Sequence, residues 1–336
     1  MNTHQALSIQ NTTASIPQAD SKSLTNASST AAALTSTQSE RRNCVLCGHR
    51  LSDQTPLTTF PCNLRAFSDQ VFNVWRCPDC QTIHCLEVVD LDYYYAQYPD
   101  EELTLNVPMR LIYSGLHKRL KKHGFTPKHK LLDYGCGRGL FLQYLKENGF
   151  EHGYGYDPYG EPDGLGSAET LSQGPFDYIL LSDVIEHVED PRELLQKLDT
   201  LLAPCGRIMI GAPNADNLDL NQPQRSDYYN EIHVPYHLHI YTRKGIEQLG
   251  KAQGWTPIGF FNRAYYDSPW IGLNARAWNV YQRMGDGTIN VVAGDPIRWK
   301  WALRSPKFWF YAIFGYWLGF RTGMDIVFEK GALQQK

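Results

Sequence analysis

Two pairs of cysteines have the spacing of a metal site. Cys44 and Cys47 form the first pair and Cys77 and Cys80 the second, each with two residues between the thiols. A two-residue spacer lets both thiolates of a turn point at one cation, and two such turns complete the tetrahedron that Zn²⁺ favours. Four thiolates leave no open position for a substrate, so the spacing predicts a structural zinc site that contributes folding energy.

Two alternatives to this zinc site stay open. The four thiols could be unrelated or could form a redox pair, and another residue could replace one of the four. The candidates for such a replacement, each otherwise expected at a packing or surface position, are His49, Cys62, His84 and Cys85.

A glycine-rich loop follows a short apolar run at 130–134. Its glycines are Gly135, Gly137 and Gly139, which let the backbone approach a ligand without a Cβ in the way, and the helix after them supplies free N–H groups. Asp133 precedes the loop. Its carboxylate would repel the pyrophosphate of a dinucleotide but suits a ligand with an amino group, such as a methionine moiety. The Gly-x-Gly-x-Gly spacing likewise differs from the Gly-x-Gly-x-x-Gly of nicotinamide-binding folds.

A second carboxylate lies at the end of the next predicted strand. Asp157 stands 18 residues after Gly139, where an acid can accept hydrogen bonds from both ribose hydroxyls of an adenosine. The alternative is a turn residue that only precedes Pro158. The loop and Asp157 together favour an adenosine ligand with an amino-bearing end.

With these residues, the chain resembles the class I S-adenosylmethionine-dependent methyltransferases, in a subgroup that contains ubiquinone-type enzymes. The matching segments are the loop at 133–139, the strand and Glu-His segment at 176–191, Pro213 with Asn214, and the stretch at 237–242. The resemblance covers about 110–262 together with 323–330. The cysteine pairs match a zinc-ribbon-headed branch of the same superfamily.

The resemblance implies an α/β fold: a Rossmann-like, seven-stranded methyltransferase sheet with helices on both faces, preceded by a small zinc-ribbon domain. The implied cofactor is S-adenosylmethionine, with Zn²⁺ in a structural role. The implied cofactor-binding residues are Asp133, Gly135, Gly137, Gly139, Asp157 and Asp183. The segment between Asp157 and Phe176 is short and rich in glycine, so the usual second helix is expected to be abbreviated. Either Ala168 or Glu169 is expected to meet the adenine ring.

Histidines near the predicted carboxyl ends of strands are the candidates for chemistry at the methyl acceptor. Methyl transfer from a sulfonium is an in-line displacement, so the protein must bring the reactants together, exclude water and, for a weak nucleophile, remove a proton. Histidine suits the last task because its pKa lies near working pH. The candidates are His187, His237 and His239. His237 or His239 is favoured as base or acceptor clamp, and the alternative for each is a hydrogen bond that only fixes its loop.

A further pattern points to a second metal. Asp183, Glu186 and His187 resemble the acid-x-x-Glu-His of some quinone O-methyltransferases, where a divalent ion assists. The alternative role for Glu186 is to cap or orient the following helix. Cys136 and Cys205 are expected to be small buried residues.

Strands and helices alternate through the middle of the chain, as a parallel sheet with both faces covered requires. Apolar runs predict six strands, at 130–134, 153–157, 176–183, 206–212, 257–262 and 324–329. Helical spacing predicts helices at 109–123, 140–148, 191–202 and 242–253. The glycine loop and the acids then follow strands, where open α/β sheets bind ligands.

The chain is expected to have five parts. Residues 1–40 consist mainly of Ser, Thr, Ala, Gln and Asn, with too few arginines for a transit peptide, and are predicted to be a disordered tail. The other parts are a zinc ribbon at 41–90, a methyltransferase core at 91–262, an aromatic helical insertion at 263–322, and the last strand with the C-terminus at 323–336.

The insertion combines aromatic and basic residues. Four of the eight tryptophans of the chain lie within 299–317, and the segment 296–324 holds five basic residues and no acid. The uncharged run at 308–320 would span about 20 Å as a helix, short of the roughly 30 Å core of a bilayer. The pattern predicts either a helical lid packed on the core or a segment that lies in a membrane interface.

Composition excludes several classes of protein. With 336 residues, of which 42% are hydrophobic, the chain can fill a sizeable core, so disorder of the whole chain is excluded. A net charge of -3 gives no global positive field for a nucleic-acid backbone, so nucleic acid is not an expected partner. The first residues lack the pattern of a secretory signal. A cytoplasmic location is expected, with peripheral membrane contact through 296–324 as the alternative to a packed lid.

The sequence therefore predicts an S-adenosylmethionine-dependent methyltransferase that modifies O or C of a small or lipid-linked metabolite, either a sugar or a quinone-like precursor. One alternative is an RNA methyltransferase whose zinc ribbon grips the RNA, which the acidic net charge disfavours. The other is a scaffold that binds S-adenosylmethionine without catalysis, which the intact Asp133 and glycine loop disfavour.

Overall fold

The computed structural model describes residues 39–99, 104–158, 167–221, 229–319 and 321–332. The chain divides into two compact units, 1–37 and 38–336, and every described residue belongs to the second unit. The predicted disordered tail at 1–40 lies outside the described residues, apart from its last two positions.

Ten strands and ten α-helices form within the described ranges. The strands are β1 (Leu57–Pro61), β2 (Val71–Arg76), β3 (Ile83–Cys85), β4 (Leu131–Tyr134), β5 (Gly153–Tyr156), β6 (Phe176–Ser182), β7 (Leu202–Pro213), β8 (His239–Ile240), β9 (Trp255–Phe261) and β10 (Gly323–Lys330). The helices are α1 (Leu91–Tyr95), α2 (Val107–Lys122), α3 (Leu140–Glu147), α4 (Pro191–Leu201), α5 (Tyr229–Ile232), α6 (Arg243–Ala252), α7 (Ala275–Met284), α8 (Asn290–Ala293), α9 (Trp299–Arg304) and α10 (Pro306–Phe314).

The main sheet has six strands in the order β5-β4-β6-β7-β10-β9. β5, β4, β6 and β7 run parallel, whereas β10 is antiparallel to both β7 and β9. This sheet confirms the Rossmann-like α/β class and all six strands that the apolar runs predict. The resemblance implied seven strands; the described part of the chain holds six, and residues 159–166, which follow β5, lie outside it.

Local sequence explains how the helices beside this sheet begin and which face they bury. In α4, the Asp190 side chain accepts hydrogen bonds from the first free backbone N–H groups, and Pro191 stands where no N–H is needed. Leu194, Leu195 and Leu198 share one face at spacings of one, three and four residues, and all three are buried. α4 is thereby oriented against the sheet with its start at the carboxyl end of β6.

β7 begins four residues before the predicted strand at 206–212 because it contains a bulge. Phe176 of β6 pairs with Leu202, and Tyr178 pairs with Arg207. β7 therefore advances by five positions where β6 advances by two. Cys205 lies in this bulge with a left-handed φ of 60° and is exposed. The prediction that Cys205 is buried was wrong, because apolar character alone does not reveal a bulge that turns the side chain outward.

The segment predicted to hold an abbreviated second helix lies partly within the described residues. Between β5 and β6 the described residues form a single short 3₁₀ helix, Ala168–Gln173, whose residues are exposed or half-buried. The three glycines at 160, 164 and 166 fall outside the described residues.

The cysteine-rich segment contributes a second sheet that the core completes. β1, β2 and β3 are antiparallel, and β8 pairs with β3 through Ile83 with Ile240 and His84 with His239. The two elements are separated by more than 150 residues in sequence. The ribbon sheet therefore has one edge covered by a strand from the middle of the chain.

The same segment shares a hydrophobic core with the main sheet. Leu46 and Trp75 belong to one buried cluster with Leu195 and Ile246. A Cβ on Gly245 would lie 2.9 Å from Leu46 Cδ2, so α6 approaches the first cysteine turn as closely as glycine allows. The predicted zinc ribbon at 41–90 and the predicted core at 91–262 therefore both lie within one compact unit, 38–336.

Helices α7 to α10 occupy the segment predicted as an aromatic insertion. Arg65 of the ribbon donates hydrogen bonds to Asp286 and Asp295, and its backbone N–H donates to the side chain of Asn290. The insertion is thus held from the ribbon side as well as from the core. Among the described residues, no helix is both long enough and apolar enough to cross a membrane.

Because the ribbon and the main sheet share a core, we expect them to unfold together. Trp75 is 0% exposed and its indole N–H donates to the Arg41 carbonyl at 3.0 Å. Trp75→Ala should lower the free energy of unfolding by about 3–5 kcal/mol. Urea unfolding followed by circular dichroism would measure this, with Trp317→Ala at a 64% exposed site as the matched control. Two separate transitions in the parent protein would contradict the shared core.

Candidate functional site

The glycine loop between β4 and α3 has the backbone that its sequence predicts. Gly135, Gly137 and Gly139 all have left-handed φ values, of 83°, 49° and 69°. A Cβ at Gly135 would lie 2.3 Å from Val184 Cγ2, so only glycine fits there. The loop is fixed to the end of β5, since Gly137 N–H donates to Asp157 Oδ2 at 2.8 Å. Gly139 is the residue that caps α3.

Three carboxylates lie near the carboxyl ends of neighbouring parallel strands: Asp133 is within β4, and Asp157 and Asp183 come directly after β5 and β6. Burial, and then the charge of Asp157, raises the pKa of Asp133 to about 7. Burial, and then the charge of Asp325, raises the pKa of Asp183 to about 7. Asp183 also has a left-handed φ of 54°, a costly conformation for a non-glycine residue that is typical of functional sites. Acids that burial makes reluctant to ionise favour a cationic ligand.

A cavity of about 1910 Å³ opens beside these residues. Its lining includes Gly135, Gly137, Asp157 and Asp183 of the predicted cofactor set. Asp133 and Gly139 are not in the lining. The same cavity continues to the predicted acceptor histidines and to the aromatic insertion, so one space joins all three regions.

Two of the three predicted histidines line this cavity. His187 lies in the short 3₁₀ helix after β6, and its ring centroid is 4.7 Å from that of His237. His237 Nδ1 lies 2.7 Å from the Glu231 carbonyl oxygen, to which it donates, so Nε2 is the free nitrogen. Burial lowers the pKa of His187 to about 4 and that of His237 well below its usual value. Both imidazoles are neutral at pH 7 and can accept a proton or bind a metal.

His239 is placed differently. It lies in β8 with its Nδ1 2.9 Å from Nδ1 of His84 in β3, and it is not part of the cavity lining. Its position supports a role in joining β8 to the ribbon rather than in contact with an acceptor.

Glu186 is a buried carboxylate beside these histidines. It is 0% exposed, and neither of its oxygens has a hydrogen-bond partner within the described part of the chain. Its Oε1 lies 4.0 Å from His237 Nε2. Burial, and then the charge of Asp183, raises its pKa well above the usual value. The predicted alternative, that Glu186 caps or orients a helix, receives no support from these contacts.

The donor set of Glu186, His187 and His237 fits a divalent cation. Their ligand atoms all lie within 4.8 Å of one another. One carboxylate and two imidazoles suit a first-row transition metal, and the bond from His237 Nδ1 to a backbone carbonyl is the arrangement that orients a metal-binding imidazole. Asp183, the first acid of the predicted pattern, is not in this group.

Residues that the sequence analysis did not single out complete the wall. Tyr95 Oη lies 2.9 Å from His187 Nδ1, and Tyr98 Oη lies 3.2 Å from His233 Nε2. His233 Nδ1 in turn meets the side chain of Asn63 in the ribbon. The aromatic run at 93–98 was a signal for this wall, but nothing in the sequence showed which histidines it would face.

The four predicted zinc ligands come together. The Sγ atoms of Cys44, Cys47, Cys77 and Cys80 all lie within 4.8 Å of one another. The Cys44–Cys80 and Cys47–Cys77 pairs are 3.3 and 3.5 Å apart. Such distances are too long for a disulfide and close to the spacing of roughly 3.8 Å that Zn–S bonds of about 2.3 Å give in a tetrahedron. The cluster is thus compatible with Zn²⁺.

The alternative ligands lie elsewhere. His49 Nδ1 is 2.8 Å from the Asp79 carboxylate, and His84 pairs with His239. Cys62 and Cys85 are buried in a different hydrophobic cluster. None of the four belongs to the group of thiols.

The fold and the site define an α/β domain with a cofactor loop at the carboxyl ends of parallel strands. Residues 105–258 match the family model described as a methyltransferase domain. This match supports the predicted class: residues 105–258 of the chain form a methyltransferase domain.

Curated relatives carry the name ubiquinone biosynthesis O-methyltransferase. The protein of Caulobacter sp. strain K31 is 34% identical over a match that covers 27% of this chain and 44% of the relative. That of Aeromonas salmonicida strain A449 is 29% identical, with 25% of this chain and 43% of the relative covered. The chain therefore spans less than half the length of these relatives.

Matching solved structures include an S-adenosylmethionine-dependent methyltransferase from Archaeoglobus fulgidus. It is 18% identical, with a TM-score of 0.39, and the match covers 66% of this chain and 94% of that chain. Haemonchus contortus phosphoethanolamine N-methyltransferase 2 in complex with S-adenosylmethionine is 14% identical, with a TM-score of 0.41 and 74% and 63% covered.

The thiol cluster predicts that the protein is isolated with zinc and depends on it. Cys77→Ser should reduce the bound zinc and lower the melting temperature by roughly 10 °C, because the site holds together a sheet that shares the main core. Cys205→Ser, at an exposed thiol outside the cluster, is the control and should change neither. Elemental analysis and thermal unfolding measure both quantities. Equal zinc content and stability in the two variants would refute the site.

Proposed function

We propose that this protein transfers a methyl group from S-adenosylmethionine to an oxygen or carbon of a small or lipid-linked metabolite. The observation that supports this most is the shared cavity. One space of about 1910 Å³ is lined by the glycine loop with Asp157 and also by His187 with His237. A cofactor in the first region would present its methyl group toward the second.

The cofactor region suits the charge distribution of S-adenosylmethionine. Asp157 would accept hydrogen bonds from the ribose hydroxyls, because it directly follows β5 beside the loop. Asp183 would face the positive amino and sulfonium groups, and Asp133, which is buried outside the cavity lining, would act on them at longer range through its charge. Burial makes both acids costly to ionise in the absence of a ligand. A cationic ligand would supply the positive charge that stabilises their carboxylate forms.

The reaction itself requires little covalent help from the protein. The acceptor oxygen attacks the methyl carbon, the bond from that carbon to sulfur breaks, and the sulfur leaves as a neutral thioether. His237 Nε2 is free and neutral, so it can take the proton of the acceptor hydroxyl. Glu186 Oε1 lies 4.0 Å from this nitrogen, and a positive charge on the imidazole would oppose the burial that raises the pKa of Glu186, so the imidazolium and an ionised Glu186 would stabilise each other.

A divalent cation is the alternative way for the same residues to act. Glu186, His187 and His237 would hold it, and when bound it would supply charge that lowers the pKa of an acceptor hydroxyl. His237 Nε2 cannot be both a ligand and a free base in one complex. The base and the cation are therefore two separate assignments for one residue.

The acceptor is proposed to be large and mostly apolar. Small-molecule sites usually measure about 300–1,000 Å³, so this cavity leaves room well beyond the cofactor. Tyrosines and tryptophans line it, including Tyr95, Tyr266 and Trp278. The curated relatives are named for O-methylation in ubiquinone biosynthesis, which supports a quinone-like precursor; aromatic walls suit a sugar as well. A lipid-linked form of either acceptor fits the size of the cavity.

Binding of S-adenosylmethionine should weaken as the pH falls from 8 to 6. Burial raises the pKa of Asp133 and of Asp183 to about 7, and protonation of either removes a charge that attracts the cationic cofactor. Asp133→Asn should lower the affinity about 10- to 100-fold at pH 8 and leave a smaller pH dependence, which Asp183 supplies. Calorimetry measures both, with Asp69→Asn at an exposed turn as the control. Absence of binding by the parent protein at pH 8 would refute the proposed function.

His237→Asn should reduce methyl transfer by a factor of roughly 10² to 10⁴ while leaving the affinity for S-adenosylmethionine unchanged. The assay would use labelled S-adenosylmethionine with a cell extract separated into aqueous and lipid fractions. His152→Asn, at an exposed histidine outside the cavity lining, is the control and should retain turnover within a few-fold. Full activity in His237→Asn would exclude both the base and the cation assignment. Recovery of a chelated, still zinc-loaded sample by added Mn²⁺ would favour the cation.

A further inference from the structure

The segment at 297–318 presents an unusual number of large apolar side chains to solvent. Leu303 is 71% exposed, Trp317 64%, Phe310 50% and Phe314 49%. The other exposed apolar side chains of this segment are Ile297, Trp299, Trp309, Ile313 and Leu318. We call these nine side chains the aromatic face.

Helix α10 shows why these side chains remain exposed. Its residues from Phe308 to Phe314 are all apolar, yet only Ala312 of the helix is buried. α10 packs on α7 and also contacts α9, whereas its side chains Phe310, Ile313 and Phe314 remain 42–50% exposed. A helix that is apolar all round is normally buried, so the aromatic face favours an apolar partner.

The charged residues of the segment 296–324 are all positive. Arg298, Lys300, Arg304, Lys307 and Arg321 are exposed, and there is no acid between 296 and 324. Lys300, Arg304 and Lys307 form no ion pair with any described residue. Five positive charges next to tryptophan and phenylalanine complement a surface that is anionic outside and apolar within.

The aromatic face also borders the cavity. Trp299 and Trp309 are exposed and at the same time belong to the lining that reaches Asp157 and His237. The cavity therefore reaches the surface at this face. An apolar acceptor could pass from a partner surface into the cavity without crossing water.

We propose that the aromatic face docks on the surface of a bilayer that contains anionic lipids, and that the methyl acceptor reaches the cavity from that bilayer. The delivery of an acceptor from the bilayer rests on the proposed methyltransferase function. The docking itself does not, since it needs no catalysis. Because no described helix can span a bilayer, the contact lies in the interface.

A second copy of the chain is a poorer occupant of the same face. In a two-fold contact, the aromatic face of one copy would meet that of the other, and both carry the same five positive charges. Like charges brought together in a desolvated contact repel each other. The charge pattern therefore favours an anionic lipid surface over self-association.

The test is flotation of the full chain with phosphatidylcholine vesicles that either contain or lack phosphatidylglycerol. We expect binding to the anionic vesicles at about 0.1 M salt and loss of binding at about 1 M, where the Debye length falls from about 10 to 3 Å. Equal flotation with neutral vesicles, or none with anionic vesicles, would overturn the proposal.

Two variants separate the charged from the apolar contribution. The triple change Lys300→Glu, Arg304→Glu and Lys307→Glu should reduce the partition coefficient by at least about tenfold. Phe310→Ser combined with Phe314→Ser should reduce it to a similar extent. Neither set includes a residue that lines the cavity, so calorimetry with S-adenosylmethionine should give unchanged affinity.

Matched controls use exposed residues far along the chain. Lys118→Glu, Lys121→Glu and Lys128→Glu change the same charge elsewhere, and Leu57→Ser with Val71→Ser removes exposed apolar side chains of the ribbon. Both controls should bind vesicles like the parent. An equal loss in the controls would overturn the assignment to the aromatic face. So would a dimer in sedimentation that Phe310→Ser and Phe314→Ser abolish in the absence of vesicle binding.

Failure of docking and failure of the proposed function give different results. A protein that binds S-adenosylmethionine and labels a metabolite of the aqueous fraction, but ignores vesicles, keeps the function and loses the docking. A protein that binds anionic vesicles but not S-adenosylmethionine keeps the docking and loses the function.

Discussion

The pairing of β3 with β8 is the contact on which the arrangement of the site depends. β8 is only two residues long, yet it joins the ribbon sheet to the segment that carries His233 and His237. Backbone hydrogen bonds between strands fix register to a single residue, because a shift of one would move every side chain to the opposite face. The thiol cluster thereby helps to hold the acceptor wall as well as the ribbon, although none of its cysteines reaches the cavity.

Charge organises the cofactor region in a similar way. Three acids at the ends of adjacent parallel strands would repel one another if all were ionised in a dry site. Burial raises the pKa of Asp133 and Asp183, which reduces their negative charge, and the proposed cationic ligand would offset the repulsion that remains.

The insertion makes two contributions through different faces of its helices. The inner side contacts the ribbon through Asp286 and Asp295, which accept hydrogen bonds from Arg65, and it lines part of the cavity. The outer side keeps large apolar side chains in solvent. The two hypotheses drawn from the sequence, a packed lid and an interfacial segment, therefore describe the inner and outer sides of one element, with the outer contact resting on our proposal.

Sequence alone determined the chemistry that depends on short spacings. The cysteine pairs, the glycine loop and the six strands of the main sheet follow from residues within a few positions of one another, where propensity and spacing decide.

Tertiary structure alone decided which histidine faces the cavity. His237 and His239 would share a face in a continuous strand, but β8 begins only at His239 and a bend precedes it, so the two rings diverge. Asn63 likewise reaches His233, and Glu186 lies beside His237, through contacts between distant segments. Local sequence cannot encode such contacts, because they depend on how whole elements pack.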